Sequence, residues 1–355
     1  MDRHTKALEI LKQGTIIPAT PLALTANRKL DERRQRALMR YYLDCGVGGI
    51  ATAVHTTQFE IRKPEHNLFE PILKLVSEEI SAYEAKTGKV IVRVAGVCGP
   101  TEQAVAEARL AKSYGYDAVL LSPGGLQEKA EAYLIDRTKA VAAEMPVIGF
   151  YLQEACGGRA FTYDYWSQVA GTDNVVAIKA APFNRYQTLD VARAVACSPR
   201  RAEVTLYTGN DDNILLDLLT KYTFKTPDGN DTTVEFKGGL LGHWSVWTKS
   251  AVALYHRAMA AKHDAALDPE LLTLAQQITD ANAAFFDPSH RFHGCIAGIH
   301  EVLRRQGLLE GIWCLNEQET LSPGQAEEIQ RVYDAYPELN DDAFVTANLD
   351  HWLAE

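Results

Sequence analysis

A chain of 355 residues carries 36 Lys and Arg against 46 Asp and Glu, a formal net charge of −10, with 46% apolar and 23% charged residues. That balance is typical of a folded globular protein and excludes a disordered chain, a collagen-like repeat and a small disulfide scaffold. An acidic chain with no basic run also lacks the Lys/Arg footprint that nucleic acid or an anionic membrane surface requires. No apolar run reaches the roughly 18 residues needed to cross a bilayer. The opening MDRHTKALEILKQG lacks the apolar core of a signal peptide. The six cysteines (Cys45, Cys98, Cys156, Cys197, Cys295 and Cys314) are scattered without a CxxC pair, which reads as reduced thiols and a cytoplasmic location.

Eight short apolar runs recur along the chain: Thr15–Ala19, Gly49–Val54, Val90–Ala95, Asp117–Ser122, Val147–Tyr151, Val175–Ala180, Glu203–Thr208 and Phe236–Leu241. Each is nearly continuous in apolar character, as parallel strands buried on both faces require. Amphipathic stretches separate them. In PTEQAVAEARLAKSYG, Thr101 is placed to cap a helix that Gly115 ends. The polar, turn-rich stretch 226–233 reads as a loop inserted before the last strand. Strand followed by helix, eight times over, predicts an α/β fold, a (β/α)8 TIM barrel with a C-terminal helical extension. The barrel is assigned residues 1–263 and the helical region residues 264–355, broken near Asp287-Pro288 and Ser322-Pro323. No dinucleotide-type glycine turn follows the first strand and no Walker A sequence occurs.

In such a barrel the chemistry sits at the C-terminal ends of the strands. Those ends hold His55-Thr56-Thr57-Gln58, Ser122-Pro-Gly-Gly125, Tyr151, Lys179, Gly209-Asn-Asp-Asp212 and Gly239-Leu-Leu-Gly-His-Trp-Ser245. Lys179, inside VVAIKAAP, is the sharpest candidate. Apolar surroundings lower an ammonium's pKa and supply free amine, which condenses with a ketone to a Schiff base. The bland alternative is a lysine paired with a carboxylate at a strand end. His290, His293, Cys295 and His300 match no common zinc spacing, so no metal is expected. Asp211-Asp212 reads as a cap of the following helix, and Tyr163, Tyr165 and Trp166 as packing. The glycines at 209 and 238–239 keep a phosphorylated substrate open.

Taken together, these motifs resemble the dihydrodipicolinate synthase / N-acetylneuraminate lyase family of class I aldolases over nearly the whole chain. ATPL near the start is similar to the family's VTPF, FYLQ to its YNVP, IKAAPFN to the stretch bearing its Schiff-base lysine, Gly209-Asn-Asp-Asp212 to its GDD, and 239–245 to its GxxGxIS. The resemblance implies Lys179 as the imine-forming lysine, Tyr151 as a proton relay, and Thr56 and Thr57 as holders of a 2-oxo acid's carboxylate. It also implies that the backbone at Gly209 and Trp244 lies against the bound keto acid.

The chain departs from the family's pattern in three places. GTTGE is replaced by His55-Thr-Thr-Gln58-Phe59, the tyrosine after strand four is missing from SPGGL, and the arginine after YNVP falls at Cys156, with Arg159 three residues on. The imine half is retained and the second-substrate half rewritten, with His55, Gln58, Gln153 and Glu154 expected along the pocket. His55 reads equally as a core histidine satisfied by backbone, and Glu154 as solvated. The expectation is a Schiff-base-dependent lyase (aldolase) acting on pyruvate or another 2-oxo acid and its aldol adducts, with no metal and no organic cofactor. A dehydratase of a deoxy sugar acid and a non-catalytic carboxylate-binding homologue are the alternatives. The resemblance further implies a homo-oligomer, dimer or tetramer.

Overall fold

The computed structural model describes residues Met1–Ala354. Nine strands occur in chain order: β1 (Ile16–Pro18), β2 (Gly49–Thr52), β3 (Val92–Val97), β4 (Ala118–Leu121), β5 (Val147–Leu152), β6 (Val175–Ala181), β7 (Thr205–Thr208), β8 (Lys221–Lys225) and β9 (Asp231–Leu241). All but β8 are parallel members of a (β/α)8 TIM barrel with C-terminal helices, and every one of the eight apolar runs contributes to a barrel strand. Contacts divide the chain into two compact units, one of Met1–Thr15 with Val92–Leu240, the other of Ile16–Ile91 with the chain from Leu241 onward.

In the first unit β3, β4, β5, β6, β7 and β9 pair in that order, all parallel. Every residue of β3, β4, β5 and β7 is buried, which is why their sequences run apolar without alternation. The helix Arg3–Gln13 is capped by Asp2, whose carboxylate accepts from the Thr5 N–H at 2.8 Å. Buried Asp117 fastens it by accepting from Arg3 Nη1 at 2.6 Å and from the Arg93 N–H at 2.9 Å, while Tyr207 Oη donates to the Leu11 carbonyl at 2.8 Å.

Two local expectations are corrected. Thr101 does not cap: Pro100 holds that position, and Thr101 opens the helix Thr101–Ser113 with its N–H donating to Tyr133 Oη at 3.1 Å. Nor is 226–233 a loop throughout. β8 pairs antiparallel with the first half of β9, from Lys221↔Glu235 to Lys225↔Asp231, leaving a turn in which the Thr226 N–H donates to the Asn230 carbonyl at 2.9 Å. The alternation Tyr222/Phe224 against Lys221/Thr223/Lys225 marks a half-exposed strand.

In the second unit β1 and β2 meet through a parallel bridge, Ala19↔Ala51, and the Ala19 N–H donates to the Leu241 carbonyl at 3.2 Å. The helices Glu270–Phe286, Cys295–Arg305, Gln325–Ala335 and Asp342–Leu353 belong to this unit. Trp352 Nε1 donates to Asp44 at 2.7 Å and Arg40 Nη1 to the Trp352 carbonyl at 2.8 Å, holding the last helix on Glu32–Cys45. No helix is long and apolar enough to cross a membrane among the described residues.

The two expected helix breaks are joined by one carboxylate. Asp287, 4% exposed, ends Glu270–Phe286 and accepts from Ser322 Oγ at 2.5 Å and the Gly294 N–H at 3.1 Å. His290 Nδ1 lies 2.6 Å from the same carboxylate. Replacing Asp287 by Ala strands the Ser322 hydroxyl and the Gly294 N–H in the interior. The expected loss is about 2–4 kcal/mol of stability in urea unfolding, with a smaller loss for Asp287→Asn.

Candidate active site

Lys179 lies in β6, where its backbone is in register with Phe150 of β5 on one side and Tyr207 of β7 on the other. Its side chain is 8% exposed. Burial lowers the amine's pKa to about 8, against an opposing pull from the charges of Asp211 and then Cys156. At pH 7 about one such lysine in ten carries a free amine, against fewer than about one in a thousand for an ordinary lysine. Nζ sits over the Phe150 ring, 4.4 Å from its centroid, so the residual positive charge meets a π face instead of water.

The β7 end closes on the lysine's stem. The Gly209 N–H donates to the Ala180 carbonyl at 2.7 Å, and a Cβ added at Gly209 would stand 2.4 Å from Lys179 Cε and 2.8 Å from Ala181 Cβ. Only glycine leaves room there. Asn210, fully buried, fixes the turn: its Oδ1 accepts from the Phe183 N–H at 3.0 Å and its Nδ2 donates to Asp217 at 2.9 Å. Asp217, also buried, accepts from Thr208 Oγ1 at 2.7 Å and from Arg185 Nη1. The pair Asp211-Asp212 does not cap the next helix, Ile214–Leu219. Asn213 stands at its cap position, and no side chain caps it. Asp211 is instead buried.

Tyr151 is not on the lysine's face. Side chains alternate along a strand, and Phe150 is the β5 residue in register with Lys179. The Tyr151 ring stacks on Trp166 at 5.1 Å and meets Phe161 edge-on at 5.5 Å, and its hydroxyl oxygen accepts from the Phe161 N–H at 3.1 Å. Burial pushes this phenol's pKa up. The expected proton relay is therefore corrected: the tyrosine packs against the helix Tyr163–Gly171, and an ionisable group is replaced by a benzene ring beside the amine. Trp166 and Tyr165 are buried in the same stack, the packing role expected of them.

Beyond β5, Gln153 is half-buried and Glu154 exposed, at the start of the short turn Glu154–Cys156. Arg159 donates from Nη1 to the carbonyls of Gln127 and Lys129, at 3.0 and 2.5 Å. Its guanidinium is thus tied to the loop after β4.

A second cluster lies in the other unit, at the end of β2. His55–Thr57 form a single 3-10 turn. Thr56 Oγ1 donates to the Ala19 carbonyl at 2.7 Å and Thr57 Oγ1 to the Thr20 carbonyl at 2.6 Å, while Ser245 Oγ donates to Ala19 at 2.5 Å. Hydroxyl hydrogens expected on a carboxylate are committed to backbone at the end of β1. Gln58 takes φ 68°, the left-handed region glycine favours, where the family's motif has glycine. Its Oε1 accepts from the Leu315 N–H at 2.6 Å, while Nε2 is buried without a partner. His55 is half-buried against Phe59, 6.1 Å between centroids. Trp244 is buried edge-on to Tyr255.

Residues that the sequence did not flag include Phe150 and, on the segment that reaches Gln58, Glu319. Its carboxyl is pushed up to about 7 by burial and the nearby charge of Glu60. Counting strand parity back from Lys179 across a known register would have found Phe150. Nothing in the sequence marks Glu319. His290 and His300 are apart in role, the latter buried with Nδ1 4.0 Å from Cys314 Sγ. No group of three or more His, Cys, Asp or Glu side chains is placed to hold a metal among the described residues.

Two tests follow from this geometry. With a folded-state pKa of about 8 against 10.5 unfolded, the unfolded chain holds the Lys179 proton more tightly. Wild-type stability therefore rises with pH between those values. Lys179→Met is expected to stabilise the protein by about 3 kcal/mol below pH 8 in urea unfolding, with the gain fading as pH approaches 10.5. Gly209→Ala displaces the lysine stem, and is expected to slow chemical modification of the Lys179 amine by about tenfold or more while the fold is kept.

Comparison with known proteins places this geometry in a family. The model of the dihydrodipicolinate synthetase family matches residues 12–221. A 4-hydroxy-tetrahydrodipicolinate synthase from Nitratidesulfovibrio vulgaris is 24% identical over 191 residues, covering 53% of this chain and 61% of that protein. Among solved structures, dihydrodipicolinate synthase from Oceanobacillus iheyensis superposes with a TM-score of 0.71 at 15% identity, over 95% of this chain and 100% of that one. N-acetylneuraminate lyase from Fusobacterium nucleatum gives 0.70 at 14% identity, over 92% and 99%. At such identities these structures establish the shared fold. The match over 12–221 establishes the lineage: the chain belongs to the dihydrodipicolinate synthetase family.

Proposed function

We propose that the protein is a Schiff-base-dependent lyase whose Lys179 condenses with pyruvate or another 2-oxo acid and acts on its aldol adducts. The observation that carries this reading is the amine itself, 8% exposed, its pKa lowered to about 8, and held between Phe150 and Gly209. A strand lysine without a buried ion pair is costly to fold around, and an imine-forming nucleophile is the chemistry that such desolvation serves.

The free amine attacks the ketone carbon, water leaves, and the protonated imine draws electrons from the bond beside it. That electron sink does the work of an organic cofactor, so the reaction as proposed uses neither cofactor nor metal. Aldol cleavage and dehydration of a sugar acid share this intermediate and differ only in the leaving group. Thr56, Thr57, His55, Gln58, Gln153 and Trp244 are proposed as substrate-facing positions. For Thr56 and Thr57 the committed hydroxyls leave acceptor lone pairs and backbone as the means of contact. All six cysteines are free, which fits a reducing cytoplasmic setting, and we take the assembly to be a homo-oligomer on family grounds.

Phe150 favours one second reading. A ring with no ionisable proton beside the amine suits a homologue that binds a small carboxylate without turning it over. Borohydride trapping with pyruvate, read by intact mass and peptide mapping, separates the two. The lyase reading expects one adduct, on Lys179, and none in Lys179→Ala. Pyruvate bound equally well by wild type and Lys179→Ala, with no trapped adduct from either, would establish the binding homologue instead.

A further inference from the structure

We propose that residues 308–321 form a strap over the turn after β2, one that opens by itself without unfolding of the second unit and so controls access to Gln58. The strap belongs to the second unit alone and stands independently of the Schiff-base reading.

The segment joins the helix Cys295–Arg305 to the helix Gln325–Ala335 and contains neither helix nor strand. Connections in compact domains usually run about 4–6 residues, and much longer ones without secondary structure of their own are as a rule functional. A glycine in the left-handed region stands at each end, Gly307 at φ 78° and Gly324 at φ 82°. Both ends are fastened. Arg34 Nη1 donates to the Gly307 carbonyl at 2.5 Å. Ser322 donates from its hydroxyl to Asp287 at 2.5 Å and from its N–H to Gln325 Oε1 at 3.0 Å.

Between those anchors the hold is slight. Cys314 and Leu315 are buried, while Glu310, Asn316, Glu317, Gln318 and Thr320 are exposed. Arg28 Nε donates to the Cys314 carbonyl at 2.9 Å, and its Nη1 stands 3.5 Å from exposed Glu317. The Leu315 N–H donates to Gln58 Oε1 at 2.6 Å. Cys314 Sγ makes long contacts, to the Ile312 carbonyl at 3.7 Å and to His300 Nδ1 at 4.0 Å.

Closure carries a cost at Gln58. The residue that meets Leu315 holds φ 68°, which side-chain-bearing residues rarely adopt, and its Nε2 is buried without a partner. The Leu315 N–H fixes Oε1, so turning the amide over only exchanges one unmet group for another. Lifting the strap returns that amide to water, where its N–H groups are satisfied. A segment tied at its ends, lightly bonded in its middle and closed over an unmet amide opens locally, below the free energy of global unfolding. What it uncovers is the turn His55–Gln58, whose residues the functional reading turns toward substrate.

The protein's own thiols read the opening. Cys314 and Cys45 are each 1% exposed and both lie in the second unit, Cys45 at the end of the helix Glu32–Cys45. Labelling with excess N-ethylmaleimide, followed by peptide mapping, gives a rate for each thiol, normalised to the same thiol in urea. We expect Cys314 to label at least about tenfold faster than Cys45 in the wild type. Arg28→Ala removes the donor to the Cys314 carbonyl and should speed Cys314 by about tenfold again, with Cys45 unchanged. Arg28→Lys, which keeps a donor, should give a smaller rise. A variant that merely folds badly would expose both thiols together. Equal normalised rates for the two thiols in the wild type, or an Arg28→Ala that speeds both alike or moves neither, would overturn the strap.

Discussion

The site is organised around one desolvated amine. Lys179 is set into a strand whose neighbours on both sides are parallel and buried, so its charge meets no bulk water and no close ion pair. Desolvation disfavours the ammonium, and the protein offsets only part of that cost through the Phe150 ring and the field of Asp211. The arrangement works because the remainder of the first unit is stable enough to hold it. Six parallel strands with apolar side chains on both faces supply the burial.

Rigidity near the amine comes from polar groups, not from apolar ones. Asn210, Thr208 and Asp217 form a buried network in which each member is hydrogen-bonded, and it fixes the turn that crowds the lysine. A satisfied network of this kind specifies a single conformation, whereas apolar packing alone tolerates rearrangement. In the second unit the same principle holds the loop after β2. Thr56, Thr57 and Ser245 converge on the carbonyls of Ala19 and Thr20, and Gln58 is pinned to Leu315. That last bond links the C-terminal segment to the turn after β2.

Much of this was legible in the sequence, for physical reasons. Strands buried on both faces write themselves as unbroken apolar runs, and all eight were readable that way. A lysine inside such a run is conspicuous because burial forbids an ordinary one. The face of β5 was not legible. Phe150 and Tyr151 are adjacent aromatics, and a one-residue shift in reading moves the tyrosine from the amine to the helix layer. The aromatic stack with Trp166 and Phe161, which decides the matter, joins residues that no local pattern relates. The commitments of the threonine hydroxyls and the strand pairing hidden in 226–233 were missed for a related reason. Both depend on partners set by the fold, not by spacing.

Burial, not an ion pair, governs Lys179, and a direct titration of the amine tests this. Selective isotopic labelling of lysine, with the Lys179 resonance assigned by its loss in Lys179→Met, gives the amine's ionisation by NMR across pH 6–11. A midpoint near 8 is expected, well below the 10.5 of an ordinary lysine. A midpoint at or above the ordinary lysine value would contradict it, since the amine would then be solvated or ion-paired and would have no reason to serve as a nucleophile.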